Sequence, residues 1–278
     1  LPDKSSEFWF RFWGTRGSLP APHPSTVIYG GNTPCLEVRA GGKIIILDAG
    51  SGIRQLGEQL EKEFPQGLQA NIFFSHYHWD HIHGFPFFLP AYRAKNHFVI
   101  YGEPRGSRQV KDILSGQMAL PYFPIPIEIM KAHFDFRDIW PGMHLQLGKV
   151  TINTEALNHP GRSLSFRISF GGRSLVYATD TEHGNKLDQR LVEHARGADV
   201  LIYDATYTDA EIRNGKKGYG HSTWREGVKI ARAAEVKRLL LFHHDPDRTD
   251  NALQKIELSA RRAFPRAAAA RERKIYYL

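Results

Sequence analysis

The chain has 278 residues, 41% of them hydrophobic, enough to bury a full core in one large domain or two small ones. Its single cysteine, Cys35, excludes an intrachain disulfide and a thiolate metal cluster, and fits a reducing compartment, the cytoplasm. A net charge of +8 suits an anionic substrate or a nucleic acid, although much of the excess lies in RRAFPRAAAARERK, residues 261–274, which reads as an exposed helix and its tail. No apolar run approaches the ~18 residues of a membrane span, so no membrane partner is expected. The opening LPDKSSEFWF lacks the basic and apolar regions of a signal peptide. It also lacks an initiating Met, which is compatible with a piece of a longer chain.

In chain order, the apolar and β-branched runs predict strands over 8–14, 35–40, 43–49, 71–76, 97–102, 149–157, 164–170, 173–180, 199–205 and 238–244. Helical periodicity predicts helices over 52–64, about 106–118, 186–196, 222–235 and 249–264. Ser222 and either Thr249 or Asp250 are the expected N-caps of the last two. The Gly pairs at 41–42 and 171–172 read as tight hairpin turns. Hairpin-rich β pieces come first and strand–helix pairs follow, and then the same order repeats. A doubly wound sheet would alternate more strictly. The expected fold is α/β: two sheets packed face to face with helices outside, in one domain over 1–278, with an insertion at about 105–141.

The stretch SHYHWDHIHG, residues 75–84, carries the spacing His76-x-His78-x-Asp80-His81. It follows a β run, so closely spaced donors leave a strand end together. Imidazole nitrogen and carboxylate oxygen on rigid backbone are what a divalent transition metal requires. Later strands end in further donors: His159 in NHPG, Asp180 after RSLVYAT, and His243 after RLLLF. Strand ends gathered at one sheet edge are where sites are normally built. Five histidines and two aspartates suit two metals with one carboxylate between them. His83, His97, His133, His183 and His194 lack the pattern and are expected to be non-ligands, and His244 should point away from His243.

These residues resemble the metallo-β-lactamase superfamily, whose hallmark is HxHxDH. The segments FWGTRGSLP, YGGNTPCLEV, LDAGSGIRQLG, MALPYFP, NHPGRSLSFRI, YATDTE, YDATY, GHSTW and LLLFHHDP are similar to its phosphodiesterase branch, which includes ribonuclease Z and cyclic-phosphate or cyclic-nucleotide phosphodiesterases. The resemblance implies a four-layer αβ/βα sandwich. It implies His76, His78 and His159 on one metal, Asp80, His81 and His243 on the other, and Asp180 bridging. Asp48 matches an acidic position that supports the metal loop. The expected cofactors are two divalent ions, zinc by default, with manganese or iron as alternatives.

The resemblance also implies a mechanism. A hydroxide shared by the two ions attacks phosphorus, and the departing alkoxide needs a proton. His221, in GYGHSTW, is the expected proton donor or phosphate contact, oriented by Asp204 at the end of DVLIYDA. Asp80 counts as both ligand and catalytic residue. Tyr122 and Phe123, between Pro121 and Pro124, are candidates for stacking a base, and Asn32, with Arg16 and Thr33, for approaching the substrate. Ribonuclease Z-like enzymes carry a tRNA-gripping arm between the third metal His and the bridging Asp. Here His159 and Asp180 are 21 residues apart, which one hairpin fills. The expected partner is therefore a small cyclic or nucleotide-derived anionic phosphodiester rather than a long RNA, with a homodimer left open. The alternatives are a ribonuclease Z-like endonuclease and a metal-bound anion sensor without turnover.

Overall fold

The computed structural model describes residues 7–278. In chain order the strands are β1 (Phe8–Gly14), β2 (Cys35–Ala40), β3 (Lys43–Leu47), β4 (Gln69–Phe73), β5 (His97–Gly102), β6 (His133–Asp138), β7 (His144–Leu147), β8 (Val150–Leu157), β9 (Ser163–Phe170), β10 (Arg173–Ala178), β11 (Val200–Asp204), β12 (Leu239–Phe242), β13 (Ala267–Ala269) and β14 (Ile275–Tyr277). The helices are α1 (Gly52–Glu63), α2 (Trp79–Ile82), α3 (Val110–Gln117), α4 (Gln189–Ala195), α5 (Asp209–Glu211), α6 (Trp224–Ala233) and α7 (Asp250–Ala263). The strands form two sheets of seven, ordered β14-β1-β2-β3-β4-β5-β6 and β13-β12-β11-β10-β9-β8-β7. Each sheet is antiparallel in one half and parallel in the other, which is the mixed sandwich expected from the sequence.

Three apolar layers explain the order. Between the sheets, Phe10, Phe12, Leu36, Val38 and Leu47 meet Ile152, Phe166, Ile168, Tyr177 and Phe242. Ile53, Leu56 and Leu60 of α1 and Val110 and Leu114 of α3 cover the outside of the first sheet. Residues of α4, α6 and α7 cover the second. The central parallel strands are therefore buried on both faces, which is why KIIIL and LLLF read as unbroken apolar runs. Gly41, Gly42, Gly171 and Gly172 all have positive φ, the geometry of two-residue turns that match strand twist.

Four expectations change. Residues 261–274 are not an exposed tail: α7 stops at Ala263, and Ala267–Ala269 form buried edge strand β13 against β12. Alanine carries little β preference, so tertiary pairing decides this strand. Thr223, not Ser222, caps α6, because the Ser222 hydroxyl is engaged with Tyr203 and His183. Residues 105–141 contribute α3 and β6 to the sandwich itself. The donor loop contains a helical turn, α2, which begins directly after His78. Among the described residues no helix is long and apolar enough to cross a membrane.

Candidate metal centre

The seven donors converge where strands end. His76 and His78 follow β4, Asp80 and His81 lie on α2, and His159, Asp180 and His243 follow β8, β10 and β12. All are buried except His78, which faces outward. Asp48, Asp180 and His243 turn the chain with φ of 61°, 54° and 59°. Non-glycine residues pay of order 1–3 kcal/mol for such backbone, and it collects at functional sites. The approach is close enough to dictate small neighbours. A Cβ on Gly17 would lie 2.2 Å from the His243 ring, and one on Gly220 would lie 2.4 Å from His159 Nδ1.

Bonds from behind fix the imidazole tautomers. His81 Nδ1 donates to Asp48 Oδ2 at 2.8 Å, and His159 Nδ1 donates to the Gly220 carbonyl at 2.7 Å. Ser75 Oγ gives its proton to Asp48 and so accepts from His76 Nδ1 at 3.1 Å. Thr206 Oγ1, whose proton reaches Asp204 Oδ1 at 2.7 Å, accepts from His243 Nδ1 at 3.0 Å. Each of these rings is left with an Nε2 lone pair pointing inward. The lone pairs of His81 Nε2 and His243 Nε2 then face each other 3.4 Å apart, while His159 Nε2 lies 3.0 Å from Nδ1 of His78, whose tautomer no bond from behind sets. His76 Nε2 is buried with no hydrogen-bond partner at all. With both rings neutral, the His81–His243 pair is repulsive until a proton or a metal cation sits beside it.

The spacing fits that cation. Two ligands ~2.1 Å from a tetrahedral ion lie about 3.4 Å from each other. Asp180 Oδ1 is 3.2 Å from His81 Nε2 and 3.3 Å from His243 Nε2, and Asp80 Oδ2 is 3.4 and 3.0 Å from the same pair. Asp180 Oδ2 is 3.5 Å from His76 Nε2 and 3.7 Å from His159 Nε2. One carboxylate thus presents one oxygen to each of two donor groups. Burial alone would raise the Asp180 carboxyl, but positive charge among His243, His81 and His76, carried by a proton or by a metal, holds it well below the usual range. The Ser18 backbone N–H steadies Asp80 Oδ2 at 2.7 Å.

His221 lies beside this set. Its ring stacks on His243 at 4.8 Å, and its Nδ1 donates to Asp204 Oδ2 at 2.8 Å. Burial opposes protonation, but the charge and hydrogen bond of Asp204, helped by Asp180 and Asp80, raise the pKa to about 9. The loop that carries it is held by Glu182, which accepts from the N–H groups of Gly218 and Gly220. His244 turns the other way, bonding to the Ala270 carbonyl.

The chain's 43–244 segment matches the family model described as "Beta-lactamase superfamily domain". This chain belongs to the metallo-β-lactamase superfamily. As a member of that superfamily it is a metal-binding hydrolase. It is 30% identical to a ribonuclease Z of Picrophilus torridus, covering 86% of each chain. Its fold is similar to that of the metallo-beta-lactamase fold protein YhfI of Bacillus subtilis, with a TM-score of 0.74 at 20% identity over 98% of this chain and 100% of that one. It is also similar to the short form of human tRNase Z, with a TM-score of 0.67 at 21% identity over 96% of this chain and 98% of that one.

The expected substrate contacts divide in two. Tyr122 is 76% exposed and shares a groove of about 590 Å³ with Trp79, His83, Phe87, Arg108 and Phe123, whereas Phe123 is half-buried edge-on to Phe87. Trp79, 77% exposed between His78 and Asp80, belongs to this rim and was not singled out from the sequence. Asn32 and Arg16 are otherwise occupied. The Asn32 amide is engaged at both ends, by Glu272 and Ser51, and the fully buried Arg16 binds the carbonyls of Gly30, Asp245 and Arg248. Thr33 Oγ1 accepts from the Ser51 N–H. These three hold loops together. Sequence reasoning also missed Thr206 and Tyr177, whose hydroxyls support Asp204 and Asp48. The only signal for Thr206 is its place beside Asp204 in YDATY, and for Tyr177 its place just before Asp180 in YATDTE.

Proposed function

We propose that the protein is a dinuclear metal-dependent phosphodiesterase that cleaves a small cyclic or nucleotide-derived phosphodiester. The observation that carries this reading is Asp180, with an oxygen toward each donor group, placed beside the His221–Asp204 pair.

His76, His78 and His159 would hold one divalent ion, Asp80, His81 and His243 the other, and Asp180 both; zinc fits the imidazole-rich set best, with manganese and iron next. Two such ions supply a hydroxide near neutral pH and positive charge for the phosphoryl oxygens. The protein supplies the rest. Asp48, Ser75, Thr206 and the Gly220 carbonyl keep the ligand rings in one tautomer. His221 carries the proton for the departing alkoxide on Nε2, since Nδ1 is committed to Asp204. Trp79 and Tyr122 offer exposed ring faces to a base next to the diester.

A second reading, cleavage of RNA in the manner of ribonuclease Z, is favoured by the named relative and the +8 charge. Against it, the interval from His159 to Asp180 is filled by β9, the Gly171–Gly172 turn and β10, with no room for an RNA-gripping arm. Parallel assays with 2′,3′- and 3′,5′-cyclic nucleotides and with a precursor tRNA decide between them. Faster hydrolysis of the cyclic diesters supports the first reading, and cleavage of the tRNA alone sinks it. Metal and nucleotide binding without turnover of either would mean an anion sensor.

A further inference from the structure

His97 and His133, expected from the sequence to be non-ligands, meet at the far end of the first sheet. In the parallel pairing of β5 with β6, His97 sits directly opposite His133, and Asp135 lies two residues further along β6. Residues two apart on a strand share a face, so all three side chains project together. The rings of His97 and His133 are 4.7 Å apart. Asp135 Oδ2 lies 2.9 Å from His97 Nε2, and Oδ1 lies 3.4 Å from His133 Nε2. One donor atom from each falls within 4.8 Å of the others. The side chains are 37%, 68% and 40% exposed, so an ion reaches them directly from solvent. They begin β5 and β6, whereas the catalytic donors follow the opposite, C-terminal ends of the strands. No residue of this group has a part in the chemistry above.

We infer that His97, His133 and Asp135 form a second, peripheral site for a divalent transition metal. Two imidazoles and one carboxylate are a normal three-ligand set for zinc, with a fourth position open to water. The two carboxylate–imidazole spacings, 2.9 and 3.4 Å, are those of the edge of a small coordination polyhedron, and all three donors lie within 4.8 Å of one another. β6 is the last strand of its sheet. An ion here ties that edge strand to β5.

The test uses the untagged full chain, since a histidine tag would bind the probe. Equilibrium dialysis against zinc at micromolar concentrations is run on the wild type, His133→Ala and Asp135→Ala. The expected result is one zinc fewer per chain in both variants than in the wild type, with hydrolysis of bis(p-nitrophenyl) phosphate unchanged. Excess zinc should also raise the melting temperature of the wild type more than that of either variant. Equal zinc content in all three proteins overturns the inference and leaves Asp135 as a hydrogen-bond bridge between two imidazoles. Because the readout is a difference between wild type and variant, it is independent of whether the catalytic centre holds one ion, two or none.

Discussion

The donor cluster and the aromatic rim are neighbours in sequence, with Trp79 lying between His78 and Asp80, yet they are held in different ways. Nearly every donor is buried and tied from behind: His81 by Asp48, His159 by the Gly220 carbonyl, His243 by Thr206. Trp79 and Tyr122 are each about three-quarters exposed and have ring faces open to solvent. A buried polar atom without its partner is costly, so the cluster tolerates one arrangement. An exposed ring tolerates many. If, as proposed, chemistry belongs to the cluster and selectivity to the rim, substitutions in the two regions should fail differently.

The largest effect is expected at the shared carboxylate. Asp180→Asn should lower kcat well beyond the roughly 10–100-fold typical of losing an outer-layer partner, with loss of bound metal measured by elemental analysis. His221→Gln comes next, lowering kcat by ~10²–10⁴-fold on a diester with an alkoxide leaving group. It should matter far less for p-nitrophenyl esters, whose leaving group departs without a proton; equal losses on both would remove His221 from the acid role. The pH profile sharpens this. His221, with a pKa raised to about 9, works as an acid only while protonated, so activity on alkoxide substrates falls as pH rises through that value. Asp204→Asn removes the charge that raises the pKa, so the falling limb moves to lower pH. Bound cations pull the limb down in both proteins and leave their order unchanged.

Further back, Asp48→Asn should weaken metal affinity by roughly 10–100-fold while leaving the fold intact, read by chelator competition. On the rim, Trp79→Ala and Tyr122→Ala should raise KM for base-bearing substrates by the equivalent of about 1–3 kcal/mol and leave kcat for bis(p-nitrophenyl) phosphate unchanged. A kcat loss at the rim equal to that at His221 would erase the contrast between the two regions.

The same contrast governs what could be read from the sequence. The strand ends were legible because apolar runs such as RLLLF stop at a polar donor, and because HxHxDH leaves few other readings. The sandwich followed from the repeated order of hairpins and strand–helix pairs. The edges were not legible. β13 is three alanines whose strand state comes only from pairing with β12, and β14 is three residues long. β6 alternates cleanly, with Phe134 and Phe136 inward against the helix-side core, but follows a proline-rich stretch that reads as irregular. The meeting of His97 with His133 depends on that missed pairing. Asn32 and Arg16 were misplaced for another reason: polarity near a motif does not reveal which neighbour takes up the hydrogen bonds.

The most direct test is stepwise zinc addition to metal-free protein, with hydrolysis of bis(p-nitrophenyl) phosphate followed at each step. The account predicts that activity climbs to a plateau as the second tight equivalent fills and is abolished by chelator. Full activity at a single equivalent, or no turnover with both tight sites filled, would contradict it.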